Sequence, residues 1–318
     1  MATPAKAALS VADVLTVAGA LAEQGVREIK LTGGDPALWP PLVECVSQLS
    51  SISGVRVDVI SRHPKIGELA APLAEAGVAL INVSIDTLNP ELHRLITARD
   101  DLPLLLRSVR AIVAAGIPCK INTVVMRGVN DHEVLELVDY CEREGVHTLK
   151  LLDIIEDLDS GSEAFVKRLR VLRVEPKPKN IRDLYLPLAG ISSELGKRAV
   201  ASKEAFQGGL GHPMTQYTMA SGLNVLIKDH HAGAWFGSVC NGCPHFPCHD
   251  ALMALRLTAD LRLQFCLLRE DVLIDLRPAM RAGPVTVRKR LDEAMRVYGA
   301  AWFKPANEAV ISTAVIGT

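Results

Sequence analysis

The sequence predicts an α/β fold with a parallel sheet, and three observations carry that prediction. Helical and strand patterns alternate through five strands between residue 10 and about residue 155. Three of the helices close on a glycine, at Gly77, Gly116 and Gly145, where a left-handed residue ends a helix. The strands keep polar residues at their C-terminal ends, the edge at which α/β sheets and barrels bind ligands.

The elements follow in order. SVADVLTVAGALAEQG has apolar residues at helical spacing, with Ser10 as N-cap. REIKLTGG is a strand that runs into two glycines. PPLVECVSQLSSI is a helix that tolerates Pro40 and Pro41 in its first turn. VRVDVIS is a strand, a helix runs through PLAEAG, and ALINVSID is the third strand. PELHRLIT and LPLLLRSVRAIVAAG are helical, PCKINTVVM is a strand, DHEVLELVDYCEREG a helix and TLKLLDII the fifth strand. Asp35, Ser61, Ser84, Asp86, Arg127 and Asp153 fall at strand ends, and such a series points to a shared site. Beyond residue 160 the periodicity weakens. VKRLRVLRVEPKPK reads as a solvated basic face, YTMASGLNVLIKDHHAGAWFGSVC as paired strands, and TVRKRLDEAMRVYGAAW as an amphipathic helix.

Composition narrows the class. Of 318 residues, 49% are hydrophobic and 22% charged, ordinary proportions for a globular enzyme. The 35 basic and 36 acidic residues leave a net charge of −1, which gives no electrostatic basis for binding nucleic acid or a membrane surface. No apolar run approaches the roughly 18–20 residues needed to span a bilayer. MATPAKAAL lacks the apolar stretch of a secretory signal, so a cytoplasmic location is expected.

Four of the seven cysteines lie in one stretch, CNGCPHFPCHDALMALRLTADLRLQFC, at Cys240, Cys243, Cys248 and Cys266. In a reducing compartment such clustering points to metal or catalysis rather than disulfides. The set suits a [4Fe–4S] cluster or a tetrahedral zinc site. His245 and His249 beside it, and His230 and His231 before it, have no ligand spacing. Cys45, Cys119 and Cys141 sit in apolar surroundings and read as core thiols.

The stretch LTGGDP, residues 31–36, places two glycines at a strand end, where positive φ and close approach of a ligand are allowed. It resembles the glycine-rich motif of radical S-adenosylmethionine (SAM) enzymes. NVSIDTLNPELHRLIT (82–97), KINTVVMRGVND (120–131) and RLTADLRLQFC (256–266) resemble, in order and spacing, the GTP 3′,8-cyclase family of molybdenum-cofactor biosynthesis. That resemblance implies an incomplete (β/α)6 TIM-like barrel lacking its first strand, with a C-terminal iron–sulfur extension. It divides the chain into a partial barrel (1–158), a variable connecting region completing it (159–235), and an auxiliary cluster domain with the C-terminal helix and tail (236–318). It implies SAM at Gly33, Gly34, Asp35 and Pro36, with Ser61 and Ser84 at the cofactor's polar end. Lys30, Lys120, Lys150 and Arg256 would face an anionic substrate, although Lys30 and Lys150 replace arginines and lose the bidentate fork. The auxiliary [4Fe–4S] cluster would be held by Cys240, Cys243, Cys248 and Cys266.

The chain also departs from that family. It has no C-x3-C-x2-C motif for the radical-forming cluster. A second [4Fe–4S] cluster is therefore expected only if N-terminal residues are missing from this chain. An N-terminally shortened protein is the expectation, and true loss of the chemistry the competing one. The late cysteines are spaced C-x2-C-x4-C-x17-C, where the family has three and leaves one iron open to substrate. Ala254 replaces a substrate-facing arginine, and Thr318 follows Gly317 where the family ends in two glycines. These changes imply hydrogen abstraction from a different, nucleotide-like or natural-product small molecule, with a reducing electron donor as partner and a homodimer as the family expectation. The competing reading is a non-catalytic SAM- or nucleotide-binding or electron-transfer protein on the same barrel. A zinc-stapled binding barrel is the third.

Overall fold

The structure, a computed structural model, describes residues 9–155, 162–172, 177–207, 210–228, 232–248 and 250–305. The first half follows the predicted order. Helix α1 (Val11–Glu23) begins at a capping box in which Ser10 and Asp13 exchange hydrogen bonds. Then come β1 (Glu28–Leu31), α2 (Leu42–Ser50), β2 (Arg56–Ser61), α3 (Lys65–Glu68), α4 (Ala70–Glu75) and β3 (Leu80–Ser84). They are followed by α5 (Pro90–Thr97), α6 (Leu102–Ala114), β4 (Cys119–Val124), α7 (Val134–Arg143) and β5 (Thr148–Leu152). Gly77, Gly116 and Gly145 are left-handed after their helices, with φ of 84°, 74° and 70°. The helix expected through PLAEAG is two short ones broken at Leu69.

The second half adds α8 (Ser162–Leu169), α9 (Ala189–Arg198), β6 (Ala201–Gln207), β7 (His212–Thr218), β8 (Asn224–Lys228) and β9 (Ala234–Phe236). After these come β10 (Arg256–Leu257), β11 (Arg262–Gln264), β12 (Ile274–Asp275), α10 (Arg277–Ala282), α11 (Pro284–Gly299) and β13 (Trp302–Lys304). The main sheet runs β1-β2-β3-β4-β5-β8-β7-β6. Its strands pair in parallel from β1 through β5 to β8, and antiparallel from β8 through β7 to β6. The expected hairpin is β7–β8, closed by residues 219–223.

Period-two alternation gives the sheet two unlike faces. Val57, Val59, Ile81, Val83, Ile121, Leu149, Leu151 and Val225 point toward the helices and form a core with α2, α4, α6 and α7. The alternate positions of those strands hold Asp58, Asn82, Lys120, Asn122, Lys150 and Lys228. A second core lies outside the sheet, where Leu252, Leu263, Phe265, Leu276 and Leu291 pack on Val17 of α1. The basic run is only partly a solvated face. Val166 is buried, and Arg168 donates to the carbonyls of Leu95 and Ile96, capping the end of α5. Among the described residues no helix is long and apolar enough to cross a membrane.

Candidate functional site

The polar face of the sheet forms the floor of the candidate site. In register, Asn82 lies opposite Lys120, Asn122 opposite Lys150, and Leu152 opposite Lys228, so the three lysines step diagonally across β4, β5 and β8. Lys120 and Lys150 are buried, at 8% and 5% exposure. Burial, then repulsion from Lys30, pushes the Lys120 ammonium down to about 8. Burial and the flanking Lys120 and Lys228 hold Lys150 well below the usual lysine range. Lys228 is also lowered by burial, against the pull of Asp153 and Asp250. The Lys150 Nζ donates to Gln207 at the end of β6. The side-chain oxygens of Asn82 and Asn122 and the Nη1 of Arg256 are buried with no hydrogen-bond partner among the described residues. Such orphans are costly unless a ligand meets them.

Lys30 is differently placed. Its Nζ sits 3.1 Å from the Glu28 carboxylate two residues back on β1, and Arg56 pairs with the buried Asp58 at 3.0 Å on β2. Arg256, on β10, lies 3.3 Å from the buried Asp250, whose other oxygen accepts from the Leu267 amide at 2.5 Å. Lys228, Asn82, Asn122 and Glu28 escape notice when the sequence is scanned for motifs. For Asn82 and Asn122 the available signal was a polar residue inside a central parallel strand, where both faces are ordinarily apolar, whereas Glu28 opens the edge strand β1 and Lys228 closes β8.

The diglycine turn lies at the C-terminal end of β1. Gly33 has φ of 134°, a conformation that favours glycine, and a Cβ added at Gly33 or Gly34 would meet no atom within 4 Å. The turn therefore borders open space, as a cofactor cradle must. The Asp35 carboxylate is occupied in building it. It accepts from the Ala37 amide (3.0 Å), the Ser61 hydroxyl (2.7 Å) and the Arg62 amide (2.8 Å), clamping the ends of β1 and β2 together. Pro36 starts the short helical turn that follows and is buried. Ser84 closes β3 half-buried, with its hydroxyl unpaired among the described residues. Asp86 and Arg127 are likewise spent on bracing. Asp86 accepts from the Val124 amide at 2.9 Å, and Arg127 donates to the Tyr185 carbonyl at 2.8 Å. The strand-end polar residues thus mostly hold the rim in shape.

The four late cysteines line one apolar cavity with Phe236 and Phe246. Their sulfurs are met by backbone amides, Cys248 by that of Ala251 at 3.3 Å and Cys266 by those of Leu268 and Arg269. Amide donors of this kind suit metal-bound thiolates. Without metal, burial pushes Cys248 up to about 11 and raises Cys240 and Cys266. No three of the described His, Cys, Asp or Glu side chains converge closely enough to hold a single ion. The cavity is nevertheless ringed by four thiols, a donor set that suits a [4Fe–4S] cluster or a tetrahedral zinc. His245 does not line the cavity. His230, His231, His249, Gly317 and Thr318 lie outside the described residues. Cys45, Cys119 and Cys141 are buried core thiols, and burial drives Cys119 up to about 12.

Comparison with known proteins agrees with this geometry. The model of the radical SAM superfamily matches residues 2–141. The GTP 3′,8-cyclase of Moorella thermoacetica is 31% identical over 277 residues, covering 86% of this chain and 76% of that protein. The chain belongs to the radical SAM superfamily. The probable GTP 3′,8-cyclase of Methanothermobacter marburgensis is 28% identical to this radical SAM protein over 293 residues, 91% of this chain and 84% of that one. Among solved structures, Streptococcus suis SuiB superposes with a TM-score of 0.47 at 14% identity, covering 69% of this chain and 43% of that one. Membership of the superfamily implies SAM and a [4Fe–4S] cluster as cofactors. Gly33 and Gly34 fit the first, and the amide-backed thiol cavity fits an iron–sulfur cluster. The radical-forming cluster finds no such fit, because residues 1–318 contain no C-x3-C-x2-C set.

Proposed function

We propose that this radical SAM protein is an incomplete (β/α)6 barrel with a C-terminal iron–sulfur extension. It receives SAM at the diglycine turn and holds an auxiliary [4Fe–4S] cluster on Cys240, Cys243, Cys248 and Cys266. A small anionic substrate, nucleotide-like or a natural product, sits on Lys120, Lys150 and Arg256, with Lys228 added to the set. Gly33 and Gly34 offer bare backbone to the cofactor, and Ser84 offers a hydroxyl. Asp35 and Ser61 hold the turn rather than reach the cofactor with free side-chain atoms. SAM held at Gly33 and Gly34 would supply a 5′-deoxyadenosyl radical for hydrogen abstraction, given a radical-forming cluster for which residues 1–318 hold no C-x3-C-x2-C set. The chain's part is to bind, orient and shield the substrate from water.

One observation carries the reading. Lys228 lies within electrostatic range of Cys248 in the thiol cavity, and Lys150 within range of Lys228, which joins the cavity to the sheet's polar face. Kinship with curated enzymes weighs against the purely non-catalytic alternative. The test is metal counting after anaerobic reconstitution of the 318-residue chain, together with SAM binding by equilibrium dialysis. About four irons and four sulfides per chain are expected, with zinc well below one. Gly33→Val should abolish SAM retention while leaving the iron count unchanged. One zinc and no iron, or SAM binding indifferent to Gly33→Val, would refute the assignment. Release of 5′-deoxyadenosine is expected once a C-x3-C-x2-C loop is supplied ahead of α1.

A further inference from the structure

The thiol cavity has apolar walls, and among the described residues that line it Arg269 is the one with a charged side chain. The Arg269 side chain is largely buried, at 17% exposure, and its guanidinium is fixed from two directions. Its Nε donates to the Asp271 carboxylate at 2.9 Å, with Nη2 on the second carboxylate oxygen. Its Nη1 donates at 2.6 Å to the carbonyl of Val239, the residue before Cys240. Arg269 also meets both stretches that supply the cysteines. Its backbone amide donates to the Cys266 sulfur, and its side chain hydrogen-bonds the Cys243 thiol. A neutral donor could tie those stretches together as well. What arginine adds is a permanent positive charge against the sulfurs.

We infer that Arg269 sets the reduction potential of the auxiliary cluster: its guanidinium, pinned by Asp271 and Val239 in the cavity wall, favours the reduced state. This rests on the four thiols holding a [4Fe–4S] cluster. Four thiolates leave such a cluster anionic, and the one electron that reduces it adds a further negative charge without making or breaking a bond. Between apolar walls little water is at hand to solvate that charge. A cation and N–H donors on the sulfurs therefore stabilise the reduced form. Asp271 does not cancel the effect, because its side chain is 65% exposed and screened by water while the guanidinium lines the cavity. Asp250 and Lys228 also act on the thiols, yet neither lines the cavity, and removing Arg269 leaves both in place.

The experiment is a dye-mediated redox titration of the anaerobically reconstituted 318-residue chain with dithionite as electron donor, read by the EPR signal of the reduced cluster beside iron and sulfide counts. Arg269→Met should leave the counts unchanged and lower the reduced-to-oxidised ratio at fixed potential about tenfold, a fall of about 59 mV for one electron. Arg269→Gln, neutral but still a donor, should lower that ratio about threefold. Arg110→Met removes an equal charge from α6, on the helix side of the sheet, and should leave the ratio within about twofold. An unchanged potential in whichever Arg269 variant keeps its iron overturns the inference and leaves the cluster standing. So does a shift of equal size in Arg110→Met. Loss of iron from both Arg269 variants makes the residue a structural latch and overturns the inference as well. Zinc in place of iron in the parent chain overturns the cluster, and the inference with it.

Discussion

Lys120 and Lys150 are residues whose burial costs the fold stability. An ammonium buried between strands and beside other cations loses hydration, and the carboxylates of Asp58 and Glu28 offset only part of that loss at Lys120. The sign of the pH dependence follows. The folded-state value of Lys120, about 8, lies below its unfolded value of 10.5, so the unfolded chain binds the extra proton. Its cost to stability is complete below about pH 8 and fades as the pH climbs toward 10.5. Lys120→Met, which keeps the methylene stem, is expected to stabilise the protein at pH 7 by about 2 to 3 kcal/mol while weakening orthophosphate binding. Denaturant melts at pH 7 and pH 10 check it, and the gain should shrink at the higher pH. A destabilising Lys120→Met would mean that the lysine serves packing. Lys120 and Lys150 were legible in the sequence through resemblance, whereas Lys228 was not. In SGLNVLIKD it reads as the charged end of a hairpin arm, and only the register of β8 against β5 turns it toward the other two.

Among the elements, legibility followed the strength of the local signal. From α1 to β5 each helix has an apolar stripe, a glycine stop or a cap, and each strand has alternating β-branched or leucine residues, so local and global preferences agree. Strand β6, and β7 up to Gln216, carried no such signal. ASKEAFQ is mostly exposed, and HPMTQYT has a proline that pairs with Phe206 at the sheet's edge. A charged edge strand of that kind blunts edge-to-edge association but reads as a loop. The turn between β1 and the short helix after it was recognised from its glycines, while the bracing role of the Asp35 carboxylate was not. An aspartate just after a ligand-binding turn looks like a ligand contact, and the carboxylate instead accepts three hydrogen bonds that join two strands. Asp35→Ala is therefore expected to cost about 1 to 3 kcal/mol through the stranded Ala37 and Arg62 amides. It should also weaken SAM binding by misplacing the turn, and Asp35→Asn should restore part of both. Thermal melts with SAM titrations separate this from a direct contact, which would lower SAM affinity with stability unchanged.

Among the described residues the molecule has three apolar cores: one at the sheet, one on the C-terminal side and a smaller one around Leu92, Met126, Val166 and Leu184; the first two are joined through one helix. Among the described residues the sheet core draws no buried residue from beyond Ile227, and the second core is built from residues 252–294 with Val17. Helix α1 serves both, presenting Val14 and Ala18 to the sheet and Val17 to the C-terminal side. Gln24 adds a hydrogen bond of 2.8 Å to Asp292 across the same seam. The cysteine cavity sits on the C-terminal side, where strands of two or three residues supply little backbone order of their own. A cluster bridging residues 240–248 to Cys266 would supply it, since metal binding of this kind couples to folding. Replacing Cys248 and Cys266 together by serine should then leave amide exchange in β2 to β5 within about twofold of the parent, while β9 and β11 exchange faster by about tenfold or more. Leu291→Ala, at a side chain with no exposure, should reproduce that pattern and cost about 2 to 5 kcal/mol, with the thiols intact. Equal acceleration throughout the sheet in either variant would mean that the two cores melt as one unit. The division follows from burial: the helices cover one face of the sheet, and the polar face lacks the apolar surface needed to fuse the C-terminal side to it.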